Sequence, residues 1–365
     1  MGYVAVRGGE RAIRVARDFA RFVRLRLARS ALTTDQIEAQ LRLAVDRVMA
    51  EGSLYAPRYA ALALKQAEGD TLEAAFILRA FRSTQRRALV SEVVRTDEMR
   101  VVRRISAAFK DVPGGQILGP TRDYAIQLLD FDLLDEDDGA IVAFLQSYVG
   151  VDPAELEQPT FPRVLDLLRR EGLLDEVRST AGRPFDVTRD ALRFPAPRAA
   201  KLQQLARAET GALMALAYST IRGHGNIHPV VGELRVGHVP LRVRTPDAEQ
   251  PLFAGEVLVT EAEVLSAEFT PSDADGRPVF TVGCGLCFGH NELKAIAAAI
   301  LDRATASDRP ESPGQDEEFV MLHTDGIEAS GFTSHWKLPH YVTFQSQLDR
   351  LRAARNAAPV TSAER

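Results

Sequence analysis

Cysteine is nearly absent from this sequence: Cys284 and Cys287 are the only two among 365 residues. Two thiols cannot staple a secreted fold of this size, so burial rather than disulfides must stabilise the chain. No stretch approaches the ~20 consecutive apolar residues that a membrane helix needs. There is no basic excess either. The net charge of −5 and a pI near 5.9 leave no whole-chain field favouring nucleic acid or an anionic membrane. The opening Met-Gly-Tyr-Val-Ala-Val-Arg-Gly-Gly turns polar too early for the apolar stretch of a signal peptide. Val6 stands where an N-myristoylation signal requires Ser or Thr. These absences predict a soluble, cytoplasmic protein.

What is present is ordinary in bulk and patterned in detail. A hydrophobic fraction of 45% and a charged fraction of 26% suit a globular fold, and the length suggests about two domains. The first third reads as helix. Thr33 and Gln36 form a capping box, and Ile37, Leu41, Val45, Val48 and Met49 recur on one helical face before a stop at Gly52. Asp70 and Glu73 repeat the start signal for a helix through Arg82. Arginines recur along positions 7–29 and again along 82–104, and an acidic tract at 130–138 follows. Solvated helix faces with intramolecular pairing, or an acidic partner, would each account for the arginines. Residues 139–200 are punctuated by Pro153, Pro162, Pro184, Pro195 and Pro197, and read as variable helices and linker. Beyond a helix over 200–220, alternation at Val239, Leu241 and Val243, around 257–264, and from Phe280 to Phe288 predicts a mixed, largely antiparallel sheet. Leu293, Ile296, Ile300 and Leu301 predict a helix packed on it. The expected class is α+β: a helical region over 1–138, a variable linker over 139–200, an α+β domain over 201–350, and a tail.

Several constellations could carry chemistry. His335 and His340 flank Pro339, which argues against helix; a bent loop could bring both imidazoles to one metal, although zinc wants four ligands. Ordinary histidines are the competing reading. Asp316, Glu317, Glu318 and Asp325 could supply a general acid if burial raises one of them, or could simply open a helix. The Pro113-Gly114-Gly115-Gln116 loop could aim backbone N–H groups at an anion or merely turn. It is no Walker loop, because Gly-Lys-Ser/Thr does not follow. Gly283-Cys-Gly285-Leu-Cys-Phe-Gly289, between a predicted strand and a predicted helix, could contact phosphate, but no βαβ unit surrounds it. Cys284 and Cys287 on a strand face opposite sides, which disfavours a metal or redox pair. Arg222, His224, His228 and Glu233 surround a glycine-containing turn that could be a binding loop or a structural one.

Taken in order, Tyr3-Val-Ala-Val-Arg-Gly-Gly-Glu10, Leu43-Ala-Val-Asp-Arg-Val-Met49, Arg103-Arg-Ile-Ser-Ala107, Pro113-Gly-Gly-Gln116, Leu202-Gln-Gln-Leu205, Gly232-Glu233 and Ser334-His-Trp-Lys-Leu-Pro-His-Tyr-Val342 resemble the I-type subunits of bacterial carbon–phosphorus lyase core complexes. The likeness fades at about 135–195 and after 350. It implies a transferase subunit that displaces adenine from MgATP with an alkylphosphonate, giving ribose 1-methylphosphonate 5-triphosphate, and acts as a nucleosidase when alone. It implies that His335 and His340 ligate zinc, and that partners are subunits G, H and J with ATPase-like subunits K and L, the chain being present in two copies. Breaking the ribosyl–base bond needs an acid near the purine and cations for the triphosphate. The expected acid is one of Asp316, Glu317, Glu318 and Glu233, the expected cations are Arg222 and Lys337, and Gly114 and Gly115 are candidate phosphate contacts. The alternative is a non-catalytic scaffold that lends metal ligands to a shared site. Cys284, Cys287 and His224 depart from the family pattern.

Overall fold

The computed structural model describes residues 9–125, 127–150, 152, 161–174, 185–222, 228–245, 247–268, 276–337 and 345–357. Residues 33–327 form one compact unit; residues 1–32 and 328–365 form another. The latter contains α1 (Gly9–Leu25), an arginine-rich helix with no buried residue.

The larger unit begins as the capping signals predict. Thr33 accepts a hydrogen bond from the Gln36 amide at 3.1 Å, and the Gln36 side chain accepts one from the Thr33 amide at 2.9 Å. The apolar run that reads as one helix is two, α2 (Thr34–Gln40) and α3 (Arg42–Gly52). Leu41, at φ −108° and ψ 37°, breaks the helix and is turned out, 52% exposed, while Ile37 and Val45 stay buried. Next come α4 (Pro57–Gln66), opened by a proline whose missing N–H costs nothing there, and α5 (Thr71–Thr84). Asp70 caps α5 by accepting from the Leu72 and Glu73 amides at 2.9 and 3.1 Å. Ile37, Val48, Met49, Ala60, Leu64 and Leu78 close the core of these four helices.

The first third is not wholly helical. Arg100–Ile105 is strand β1, because Val101, Val102 and Ile105 are β-branched residues that suit a pleated, buried surface. After the short helices α6 (Asp138–Ser147) and α7 (Val164–Arg170), the helix expected over 200–220 is split into α8 (Arg198–Arg207) and α9 (Thr210–Ile221). Glu209 makes the break: its amide donates to the Thr324 carbonyl at 2.7 Å, and its carboxylate caps α9 at the Ala212 amide, 2.6 Å away.

Strands β2 (Val230–Val243), β3 (Leu252–Glu268) and β4 (Val279–Phe288) join β1 in an antiparallel sheet of order β1-β2-β3-β4. Helix α10 (Glu292–Ala304) lies directly on β4. A Cβ on Gly283 would stand 2.0 Å from the Ala299 carbonyl oxygen, and one on Gly285 2.0 Å from that of Ala295. Those glycines let the alanine face of α10 touch the sheet backbone; they are packing devices within a strand, not the phosphate-contacting turn that their spacing allowed. Helix α11 (Glu317–His323) follows, then α12 (Gly326–Lys337) and α13 (Gln345–Ala357). No helix among the described residues is long and apolar enough to cross a membrane.

Candidate functional site

Side chains alternate across a strand, and here one face of the sheet is ionic. Glu233 and Arg235 on β2 stand opposite Glu263 and Glu261 on β3, and Arg104 on β1 stands opposite Arg235. Arg104, fully buried, donates through Nε to Glu233 at 2.6 Å. Arg163, at the N-cap of α7, meets Glu263 at 2.6 Å, Glu261 at 3.2 Å and Glu233 at 3.6 Å. Arg235 pairs with Glu261 and donates to the Thr96 carbonyl at 2.9 Å. Three guanidinium groups therefore face three carboxylates.

Their proton affinities diverge. Burial, with help from Glu261 and Glu233, pushes the Glu263 carboxyl up to about 7 against the pull of Arg163. Burial also raises Glu261, but Arg235 and Arg163 outweigh it and leave that group below the usual carboxylate range. Burial opposes the charge on Arg163, and Glu263, Glu261 and Glu233 more than restore it.

The sequence candidates are distributed as follows. Glu233, 2% exposed, belongs to this layer as the partner of Arg104. Gly114 and Gly115 adopt φ of +88° and +77°. Their loop turns carbonyls, not amides, toward a charge: Arg104 Nη1 donates to Pro113 O at 2.9 Å and Gly115 O at 3.0 Å. The Gly115 amide is spent on Val112 O at 2.9 Å. The expected anion cradle is thus a cation clamp, with Phe161 stacked on Arg104 at 4.1 Å. Asp316 caps α11 by accepting from the Phe319 amide at 2.9 Å. Glu317 bonds Lys201 at 3.1 Å and the Ala196 amide at 3.0 Å, and Glu318 is exposed. Asp325 pairs with Arg79 at 2.7 Å.

Arg222 ends α9 with its guanidinium 2.8 Å from the Tyr218 hydroxyl; His224 lies outside the described residues. His335 lies in the last turn of helix α12 rather than in a bent loop, and Lys337 closes that helix. His340 lies outside the described residues. Among the described residues no group of three or more His, Cys, Asp or Glu is placed to hold a metal. One imidazole does not make a zinc site, so this donor set fits the metal only with ligands from elsewhere. Burial pushes both thiols, Cys284 and Cys287, up to about 11, which leaves them as inert packing groups.

Two cavities share the end of β4, at Leu286 and Phe288. One, of about 750 Å³, is lined by Arg82, Arg86, Arg87, Arg189 and Arg207, together with Ser53, Thr188, Gln203 and the apolar Leu54, Leu286 and Phe288. The second, of about 640 Å³, shares Ser53, Leu54, Leu286 and Phe288 and is otherwise mostly apolar: Tyr55, Val94, Val239, Leu241, Val257 and Val259, with Thr96 and Glu256. The Thr96 hydroxyl donates to Glu261 at 2.9 Å and so ties this cleft to the ionic layer.

Sequence reasoning missed these arginines as a site, because α5 with the segment after it, the 186–189 turn and α8 contribute them from three separate places. It also missed a cluster at the start of α10. There His290 Nε2 lies 2.7 Å from Glu292, its Nδ1 lies 3.2 Å from Arg42, and Arg103 meets Glu292 at 2.6 Å. Adjacent strand positions point Arg103 and Arg104 to opposite faces, a split legible only once β1 is recognised as a strand.

Comparison with known proteins finds relatives along nearly the whole chain. A family model described as bacterial phosphonate metabolism protein (PhnI) matches residues 2–358. HtxH of Stutzerimonas stutzeri, named as a candidate C-P lyase subunit protein, is 53% identical over 367 residues, covering 98% of this chain and 97% of its own. The alpha-D-ribose 1-methylphosphonate 5-triphosphate synthase subunit PhnI of Escherichia coli K12 is 45% identical, with 96% of this chain and 97% of that one aligned. The subunit of the same name from Rhizobium meliloti 1021 is also 45% identical, with 97% and 95% aligned. With nearly every residue inside the match, the chain belongs to the PhnI family of bacterial phosphonate metabolism proteins.

Proposed function

We propose that this chain is the ribosyl-transfer subunit of a carbon–phosphorus lyase system, working in the cytoplasm with subunits G, H and J and the ATPase-like subunits K and L. In the assembly an oxygen of the alkylphosphonate, here methylphosphonate, attacks ribose C1′ of MgATP. The C1′–N9 bond breaks as the C1′–O bond forms, adenine leaves with a proton, and the product is alpha-D-ribose 1-methylphosphonate 5-triphosphate. Alone, the chain delivers the ribosyl group to water as a nucleosidase. The observation that carries this reading is the end-to-end 45% identity to two chains named as that synthase subunit.

The chemistry needs a proton donor for the base and cations for the triphosphate. The donor is sought among Asp316, Glu317, Glu318 and Glu233, and Arg222 and Lys337 are cation candidates. Glu318 is the freest of the four carboxylates, since Asp316 caps a helix, Glu317 holds Lys201, and Glu233 is sealed against Arg104. His335 and His340 would bind zinc, with the remaining ligands from a partner. Large apolar side chains at Leu128, Leu129, Phe131, Leu134, Phe144, Leu145 and Val149 are exposed, which supports a chain that works in an assembly. The same exposure, with the incomplete zinc ligand set, favours a scaffold as the second reading.

The test is base release from MgATP, with and without methylphosphonate, by the chain alone and with its partners. Phosphonate-dependent ribosyl phosphonate in the assembly, and slower free adenine from the chain alone, is the expected result. No base in any combination establishes the scaffold. Single replacement of the true acid should lower the rate by ~10²–10⁴.

A further inference from the structure

We propose that the arginine-lined chamber and the apolar cleft beside it form one bipartite site for a nucleoside triphosphate, the chamber taking the triphosphate and the cleft the base. The assignment rests on the nucleotide-substrate reading above and adds the place.

Charge comes first. Arg82, Arg86, Arg87, Arg189 and Arg207 line the chamber, and no carboxylate does. The nearest acids are partly committed: Asp186 lies 2.8 Å from Arg87 and 3.9 Å from Arg189, and Asp325 lies 3.5 Å from Arg207 but 2.7 Å from Arg79. Arginines also belong at helix C-termini, and α3, α5 and α8 all end here. Three such ends carry on the order of −1.5 charges in all. With Arg207 turned to Asp325, those ends and Asp186 still leave roughly one to two positive charges of the other four arginines uncompensated. Arg86 is exposed and has no ion-pair partner among the described residues. Burial, and then the neighbouring Arg79 and Arg87, pull Arg82 below its ordinary value against the opposing pull of Asp186.

A second observation is independent of charge. Ser53 lines both cavities, and its hydroxyl, shielded from solvent, has no hydrogen-bond partner among the described residues. Ser53 is held there by a left-handed backbone at φ 56°. An acceptor oxygen brought to this wall would satisfy that hydroxyl, and a phosphate oxygen accepts from hydroxyls and from guanidinium forks alike.

Shape supplies the rest. The shared wall of Leu54, Leu286 and Phe288 passes from the charged chamber into a cleft of aliphatic side chains with Tyr55 set edge-on to Phe288. A flat heterocycle fits such a slot, and each cavity falls in the range of small-molecule sites. A nucleic acid strand is disfavoured by the chain's net charge of −5.

The experiment titrates the full chain, alone and in its assembly, with MgATP and separately with inorganic tripolyphosphate. Arg86→Ala should weaken both about tenfold or more, as loss of one charge-assisted contact does, and Arg86→Lys should recover part of the loss. Ser91→Trp, at an exposed residue of the cleft lining, should weaken MgATP and leave tripolyphosphate unchanged. Arg352→Gln, an exposed charge on α13, should change neither. If wild type binds and turns over MgATP while Arg86→Ala and Ser91→Trp behave like it, the location is wrong and the nucleotide reading stands. If wild type binds no MgATP and releases no base in any assembly, both fall. Thermal melts of each variant separate lost binding from lost folding.

Discussion

Removing Arg104 should strongly destabilise the larger unit. Its guanidinium makes hydrogen bonds to Glu233 at 2.6 Å, Pro113 O at 2.9 Å, Gly115 O at 3.0 Å and Pro162 O at 3.1 Å, and it is fully buried. Arg104→Met keeps most of the stem's volume but leaves three carbonyls without this donor and Glu233 without its closest cation. Breaking one side of a buried pair costs about 3–5 kcal/mol, chiefly because the remaining charge stays desolvated. With a urea m-value on the order of 3 kcal/mol/M, the midpoint should fall by about 1–1.7 M. Removing both charges relieves most of that penalty. Arg104→Met combined with Glu233→Leu should therefore cost about 2–3 kcal/mol less than the two single changes summed. Urea unfolding followed by far-UV circular dichroism measures all three variants. Strict additivity would refute the argument, because it would mean that Glu233 is satisfied without Arg104.

Glu263 gives a pH signature. Its carboxyl is pushed up to about 7 from 4.5, chiefly by burial, so between those values the folded chain holds a proton that the unfolded chain has lost, and stability falls as pH rises. Glu263→Gln abolishes that titration; its stability relative to wild type should improve by on the order of 2–3 kcal/mol from pH 5 to pH 8, and a pH-independent difference counts against the shift. Gly285→Ala drives a Cβ to 2.0 Å from the Ala295 carbonyl and 2.8 Å from the Ala299 amide, and should lower stability by about 3 kcal/mol or more. Gly172→Ala, with φ +69° and open space around it, should cost only about 1 kcal/mol; equal thermal midpoints for the two would undo the packing account. Thr33→Ala removes a two-sided capping box and should cost about 1 kcal/mol, read as a fall in the urea midpoint.

The elements most legible in the sequence were those with local signals. Thr33, Gln36 and Asp70 announce helix starts through their own side-chain chemistry, and the alternation in β2 and β4 is a period-two pattern that any amphipathic strand carries. The breaks were less legible. Leu41 continues an apolar stripe, and only tertiary packing turns it out; Glu209 splits a continuous helical pattern because its amide is taken by Thr324, more than a hundred residues away. Strand β1 was hidden by arginines, since a buried Arg103 and Arg104 look like solvent-exposed residues until Glu292 and Glu233 are brought to them. The chamber was illegible for the same reason, as Arg82, Arg189 and Arg207 are near one another only in the fold.

Segments that read separately along the chain prove to be one object. Arg104 comes from Arg103-Arg-Ile-Ser-Ala107, the carbonyls around it from the Pro113-Gly-Gly-Gln116 loop, and its carboxylate from Gly232-Glu233. Ser106 and Gln116 lock the first two together through paired 2.8 Å hydrogen bonds, and the Ser106 hydroxyl reaches Gly232 O at 2.6 Å. Their joint role is to fix β1, the loop and β2 in register, and that role would make Glu233 a positioning residue rather than the general acid. The distinction is measurable. Glu233→Gln should lower base release together with the unfolding midpoint, and Glu233→Asp, which keeps the charge but shortens the reach, should do the same. A general acid behaves otherwise: its replacement by the amide removes ~10²–10⁴ of the rate while the fold keeps its stability. A Glu233→Gln protein that melts like wild type yet has lost turnover would move Glu233 from the scaffold into the chemistry.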